Sequence, residues 1–167
     1  RARIASVTGS VGKTSTKEAL RHVLARQGAT HASVASYNNH WAVPLTLSRM
    51  PAATEYGVLE IGMNHPFEIL PLTAMVRPHV AVVTTVEPVQ LDHFASVAGI
   101  ADAKGEIFSG LLPGGTAVIN RDNPQFDRLK AHAAASPAGR IVTFGEHEAA
   151  DAHIVPGLLG FGFGQAN

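Results

Sequence analysis

The sequence predicts an α/β domain with a mostly parallel sheet and helices on both faces. Three observations carry this. Strand-like runs alternate with helical patterns along the whole chain. Several of those runs, "YGVLEIG" and "HVAVVTTV" among them, are strongly apolar, as strands covered on both faces are. The first strand also runs straight into a glycine turn that opens a helix, the arrangement of a phosphate loop.

Each element follows in order. "RARIASV" suits a short buried strand, and the 9–12 turn leads into a helix over 13–27, with Ala19, Leu20, Val23 and Leu24 on one face and Gly28 as its stop. "HASVAS" reads as a second strand. "YNNHWAVPLTL" reads as a loop in which Pro44 opens a short helix. "YGVLEIG" (56–62) is a strand, and "HPFEILPLTAMV" (65–76) a helix that Pro71 shortens or kinks. "HVAVVTTV" (79–86) is a strand, and "SVAGIADAKGEIFSGL" (96–111) a helix capped by Ser96. "GGTAVIN" (114–120) is a strand, 122–135 starts a helix, "GRIVTFG" is a strand, and "AHIV" (152–155) adds a last extended piece before a glycine-rich end.

Composition bounds the function. The 167 residues are the size of one domain, and 46% are apolar, enough for a sizeable core. Lys plus Arg and Asp plus Glu balance at 13 each, so no charge excess points to nucleic acid or a membrane surface. The absence of cysteine excludes disulfides and thiolate metal sites. No apolar run approaches the roughly 20 residues of a spanning helix. The chain begins at Arg1, with no signal peptide in view, and reads as a piece of a longer cytoplasmic protein.

The opening turn, "TGSVGKTS", departs from the common G-x-x-x-x-G-K-[ST] loop: Val7 stands where that pattern wants glycine, and Gly9 lies only three places before Gly12. Thr8, Gly9, Ser10, Val11, Gly12, Lys13, Thr14 and Ser15 are the expected phosphate-binding stretch. Backbone N–H groups at such a turn face an anion, Lys13 reaches the β and γ phosphates, and the Thr14 hydroxyl binds Mg²⁺. The competing reading is a tight strand–helix turn with an incidental lysine. On the motif alone, ATP and GTP both remain open.

Six blocks in order, "TGSVGKTSTKE", "YNNHWAVPLTL", "YGVLEIGMNHPFEI", "VRPHVAVVTTV", "ADAKGEIFSGL" and "AVINRDNP", resemble the Mur ligases, and within them the branch that adds D-alanyl-D-alanine to UDP-N-acetylmuramoyl-tripeptide. The resemblance runs from Ile4 to about Asn123. It implies the central ATP-binding domain of an ATP- and Mg²⁺-dependent amide ligase, incomplete at its C-terminal end. The flanking UDP-sugar and C-terminal ligase domains are expected outside this stretch. The expected partners are ATP and, in the full-length enzyme, the UDP-linked tripeptide and D-alanyl-D-alanine. A monomer is expected.

The resemblance also implies roles for single residues. Glu60, at a strand end, matches a Mg²⁺-binding glutamate; a salt-bridged strand-end glutamate is the alternative. Lys104, in "ADAKGEIF", matches a lysine that carries a carbamate beside a second Mg²⁺; the alternative is a solvated helix lysine. Asn38 and Asn39 match a loop that approaches the phosphates and the acyl group, or serve turn chemistry. Asn64 and His65 in "GMNHP" match substrate-side groups, or form a turn. Asn120 and Asp122 match a segment near the nucleotide, although Asp122 would equally cap the next helix. Three positions depart from the pattern: Gln90 replaces a metal-associated histidine, with His93 three places on, and Ala42 and Phe67 replace glycines. A folylpolyglutamate synthase-type ligase and a nucleotide-binding module without catalysis are the alternative functions.

Overall fold

The computed structural model describes residues 2–89 and 92–153. It has seven strands, β1 (Arg3–Thr8), β2 (Thr30–Ala32), β3 (Tyr56–Glu60), β4 (Val80–Val83), β5 (Thr116–Asn120), β6 (Arg140–Gly145) and β7 (Ala152–His153). The α-helices are α1 (Lys13–Leu24), α2 (Ala42–Ser48), α3 (Ile69–Val76), α4 (Val97–Gly105) and α5 (Phe126–Ala134). The strands form one sheet in the order β2-β3-β1-β4-β5-β6-β7, and every pairing is parallel.

The crossover rule explains the layering. Parallel crossovers are right-handed, so the direction of travel along the sheet decides which face the connecting helix covers. The step from β1 to β2 runs one way; the later steps run the other. Accordingly α1 lies alone on one face, packed against β1, β2 and β3. The remaining helices lie on the opposite face. There Leu59, Ala81, Val83 and Ile119 from the strands pack with Ile69, Leu72, Ile100, Phe108 and Leu129 in one core. On the α1 side, Val80, Val82, Val118, Val142 and Phe144 line an open apolar depression of about 880 Å³. Helices therefore occupy both faces as expected, but unequally among the described residues.

Several boundaries differ from the sequence expectation for local reasons. Helix α1 ends at Leu24, and Gln27 and Gly28 return their N–H groups to the Leu24 carbonyl in a closing turn. Its buried face also differs: Val23 is 55% exposed, and the fully buried residue is Lys17. The second strand stops at Ala32, because Ala35 turns the chain through φ 46°. Helix α3 starts at Ile69, since the Glu68 carboxylate draws the N–H groups of Asn64 and His65 into a turn. Pro71 falls in its first turn, where no N–H is required, so it does not break the helix. Ser96 caps α4 by accepting from the Gly99 N–H at 3.1 Å. After Gly105 that helix tightens into a 3-10 turn over Glu106–Gly110. Of "AHIV", residues 154 and 155 lie outside the described residues.

The two replaced glycines diverge. Ala42 is the first residue of α2, an ordinary site for alanine. Phe67 sits at φ 68° with its side chain 72% exposed. Its N–H donates to Glu106 Oε1 at 2.9 Å, which holds the strained conformation. A left-handed conformation costs a non-glycine residue roughly 1–2 kcal/mol, part of which glycine returns as extra freedom in the unfolded chain. Phe67→Gly is therefore expected to stabilise the fold by about 1 kcal/mol, read as a raised urea midpoint; a lowered midpoint would show that Phe67 contributes packing that outweighs its strain.

Candidate functional site

Strand β1 sits where the strand order reverses, between β3 and β4. In open α/β sheets ligands bind beyond the carboxyl ends of strands at such a point. The ends of β1, β3 and β4 converge there, with Val7 in register with Glu60 and Thr8 with Val83.

The turn after β1 is sewn to the chain leaving β4. Gly9 has φ 150°, and a Cβ there would overlap Thr84 Oγ1. Thr84 Oγ1 donates to the Val11 carbonyl at 2.6 Å, while the Val11 side chain is exposed. Ser10 is committed three times: its N–H donates to the Thr85 carbonyl, and its Oγ accepts the Glu87 N–H at 2.9 Å and donates to the Glu87 carbonyl at 3.2 Å. Gly12, at φ 82°, starts α1. The first-turn N–H groups of a helix have no partner within it, which with the helix dipole favours an anion. Ser15 is exposed in that turn and Thr8 is buried in β1. Lys13 Nζ folds back to donate to the Gly9 carbonyl at 2.9 Å.

Beside this turn lies a buried carboxylate. Glu60, 1% exposed, accepts from Thr14 Oγ1 at 2.8 Å and from Asn38 Nδ2 at 2.7 Å. Its N–H donates to Ser33 Oγ at 3.1 Å. The Thr14 hydroxyl spends its proton on Glu60 and keeps lone pairs for a cation. A hydroxyl beside a carboxylate suits a hard cation such as Mg²⁺, which keeps several waters and takes few protein ligands. Among the described residues no group of three or more His, Asp or Glu is placed to hold a metal. The donor set thus fits Mg²⁺ bound jointly with phosphate, and not a site made by protein alone.

Lys104 occupies the same cleft, a space of about 350 Å³ that Gly9, Lys13, Asn39, His65 and Glu68 also line. It is 2% exposed, so it is not a solvated helix lysine. Burial, with a smaller contribution from the nearby Lys13 ammonium, lowers its pKa from 10.5 to about 7. Burial likewise lowers the Lys13 pKa, with Glu60 opposing.

The other expected residues have traceable positions. Asn39 Oδ1 accepts the N–H groups of Trp41 and Ala42 and so caps the entry to α2. His65 Nδ1 lies 3.1 Å from Glu68 Oε1, and its ring stands 4.7 Å from that of His93. Asn120 Nδ2 donates to the Thr84 carbonyl at 3.2 Å. Asp122 does not cap α5, whose N-cap is Gln125; it accepts from the Glu146 and His147 N–H groups instead. Gln90 lies outside the described residues.

Two residues escaped the sequence reading. Asn123, 5% exposed, donates to Thr85 Oγ1 and to the Val86 carbonyl, both at 2.9 Å, which pins the segment beside the turn. Its position within the "NRDNP" block was the signal available. Lys17 is fully buried, and no local signal in the sequence sets it apart.

A family profile described as Mur ligase middle domain matches residues 7–157. The chain belongs to the Mur ligase family. UDP-N-acetylmuramoyl-tripeptide--D-alanyl-D-alanine ligase of Escherichia coli (strain K12) is 43% identical over 122 residues, covering 73% of this chain and 27% of that protein. A crystal structure of MurF from Acinetobacter baumannii matches with TM-score 0.83 at 33% identity, covering 87% of this chain and 32% of that one. MurF ligase from Thermotoga maritima, solved in complex with ADP, matches with TM-score 0.77 at 28% identity, covering 87% of this chain and 33% of that one. The chain thus spans about a quarter to a third of the length of the curated relatives it matches. No helix among the described residues is long and apolar enough to cross a membrane.

Lys104 gives this Mur ligase domain a pH signature. Between its folded value of about 7 and its ordinary 10.5, the unfolded chain binds the proton that the folded one does not. Stability therefore rises with pH across that window, and the cost of charging the buried amine is fully present below it. Lys104→Met is expected to flatten this rise between about pH 7 and pH 10, measured as denaturant midpoints. An unchanged slope would show that the amine titrates as an exposed lysine does.

Proposed function

We propose that this chain is the ATP-binding central domain of a cytoplasmic ligase that adds D-alanyl-D-alanine to UDP-N-acetylmuramoyl-tripeptide. The observation that carries the reading is the Thr14–Glu60 pair at the open end of α1, beside Lys13, in a chain 43% identical to a relative bearing that name. The ADP complex of the Thermotoga maritima relative supports a nucleotide at this site. The open apolar depression over β4, β5 and β6 supports a central domain that continues in further polypeptide, since parallel sheets are covered on both faces.

In this reading the tripeptide carboxylate oxygen attacks the γ phosphorus of ATP, the bond to the bridging oxygen breaks, and ADP leaves. The dipeptide amine nitrogen then attacks the acyl carbon of the acyl phosphate, and phosphate departs as the amine loses a proton. The domain supplies position and charge, as is usual in phosphoryl transfer. First-turn N–H groups of α1 and Lys13 hold the phosphates, and Lys13 exchanges the Gly9 carbonyl for them. Thr14 and Glu60 would hold Mg²⁺, which offsets the charge gathered on the phosphate oxygens.

Lys13→Ala in the full-length protein is expected to weaken ATP binding roughly 10- to 100-fold, the loss of one charge-assisted partner. ATP affinity within twofold of wild type would overturn the phosphate-loop reading, and a wild type that binds ATP without forming amide product would make the chain a binding module.

Lys104 extends the proposal. An amine half-neutral near pH 7 adds CO₂, forming a C–N bond and releasing a proton, and becomes an anionic two-oxygen group suited to a second Mg²⁺. Full-length protein equilibrated with ¹³C-bicarbonate is expected to show a carbamate carbonyl resonance that Lys104→Ala abolishes. A spectrum identical in both proteins would leave Lys104 an unmodified amine.

A further inference from the structure

Lys17 is fully buried, yet it faces none of the groups assigned above to phosphate or metal. Its ammonium has three N–H donors and three partners. It donates to the Ser33 carbonyl at 2.8 Å and to the Ala35 carbonyl at 2.5 Å, and pairs with Glu18 Oε1 at 2.9 Å. We propose that Lys17 is a positioning residue that fixes the 33–38 segment and, through it, the orientation of the Glu60 carboxylate toward Thr14. The inference rests on the nucleotide-binding reading of that pair.

The segment between β2 and α2 is where the constraint acts. Ser33 holds Glu60 by its main chain, through Oγ to the Glu60 N–H. Asn38 holds it by its side chain, through Nδ2 to Oε1, and its carbonyl accepts the Gly62 N–H. Between them the chain must reverse, and it does so at Ala35, in a left-handed conformation (φ 46°) that alanine disfavours. Lys17 grips the carbonyls on both sides of this reversal, at residues 33 and 35. Without that grip the segment would relax away from φ > 0, and Asn38 would leave Glu60.

A purely structural role would not call for an ammonium. A linear apolar side chain fills the same space without desolvating a charge, and replacing a buried ion pair with an apolar group is often neutral or stabilising. Glu18, the counter-charge, is 43% exposed at its side chain and compensates only in part. What the ammonium adds is direction: it binds two carbonyls of a strained turn that an apolar chain cannot bind.

The test is Lys17→Met in the full-length protein, with two readouts. Hydrogen exchange in the absence of nucleotide is expected to accelerate by roughly an order of magnitude at residues 33–38 and at the Glu60 N–H, while α5 amides stay as in wild type. The Mg²⁺ concentration for half-maximal ATP binding is expected to rise several-fold, with ATP binding at saturating Mg²⁺ nearly unchanged. In an Asn38→Ala background the same substitution should change the Mg²⁺ requirement little further, since both act through one segment. Lys17→Gln, which keeps two N–H donors, is expected to recover part of both effects, and it carries the test if the methionine variant does not fold. Exchange that rises uniformly over the molecule, or an unaltered Mg²⁺ requirement, overturns the proposal. A wild type without Mg²⁺-dependent ATP binding would instead remove the nucleotide reading, and the exchange pattern would still decide whether Lys17 orders the segment.

Discussion

The buried Glu60 carboxylate organises the end of the sheet where the site lies. A carboxylate away from water is costly unless its oxygens find donors. Here the donors come from two different parts of the chain: Thr14 at the start of α1 and Asn38 in the β2–α2 segment. Satisfying one side chain at the end of β3 therefore fixes the first turn of α1 and the loop on its other side. The strand order makes this possible, because β1 enters between β3 and β4 and delivers its turn beside both strand ends. Both of these donors are neutral. They satisfy the oxygens as hydrogen-bond acceptors without cancelling a charge, which is the condition under which a hard cation beside Thr14 would lower the free energy.

Much of this was legible in the sequence because local rules and the fold agree. Apolar runs point to β1, β3, β4, β5 and β6, while β2 and β7 are read from the mixed stretches "HASVAS" and "AHIV", and parallel pairing follows from the alternation with helices. The "GKT" turn is legible from its place at the end of β1, whereas the position of Glu60 at the end of β3 left a salt-bridged glutamate equally open without the block resemblance. Lys104 needed the block resemblance, since a lone lysine in a helix is ordinarily solvated. Its burial follows from the packing of α4 under the cleft, which no local pattern encodes.

Other residues were recognisable as present but not in what they do. Ser10 lies in the phosphate-loop motif, yet its hydrogen bonds tie the turn to Thr85 and Glu87. Asn39 caps α2, and Asp122 receives N–H groups from the residues after β6. In each case the partner is remote in sequence or depends on a turn geometry that composition does not fix. Lys17 is the extreme case. Its helix position reads as polar, and only the arrival of β2 and the following segment over α1 turns it into a buried cation with three acceptors.

The paired lysines of the cleft close the electrostatic argument. Lys13 and Lys104 each lose proton affinity on burial, and Lys13 lowers Lys104 further. The Lys104 amine thus titrates near pH 7, beside a Lys13 whose pKa burial also lowers. An incoming polyphosphate would favour proton uptake by that amine, while a second Mg²⁺ would favour its conversion to an anionic carbamate. These act in opposite directions on the same nitrogen. Among the described residues that line the cleft, the carboxylate is Glu68, which accepts the Asn64 and His65 N–H groups, while Glu60 pairs with the Thr14 hydroxyl beside it. In the proposed reading, a carbamate on Lys104 would add negative charge to the cleft, whereas a protonated Lys104 would set a second ammonium near that of the half-buried Lys13.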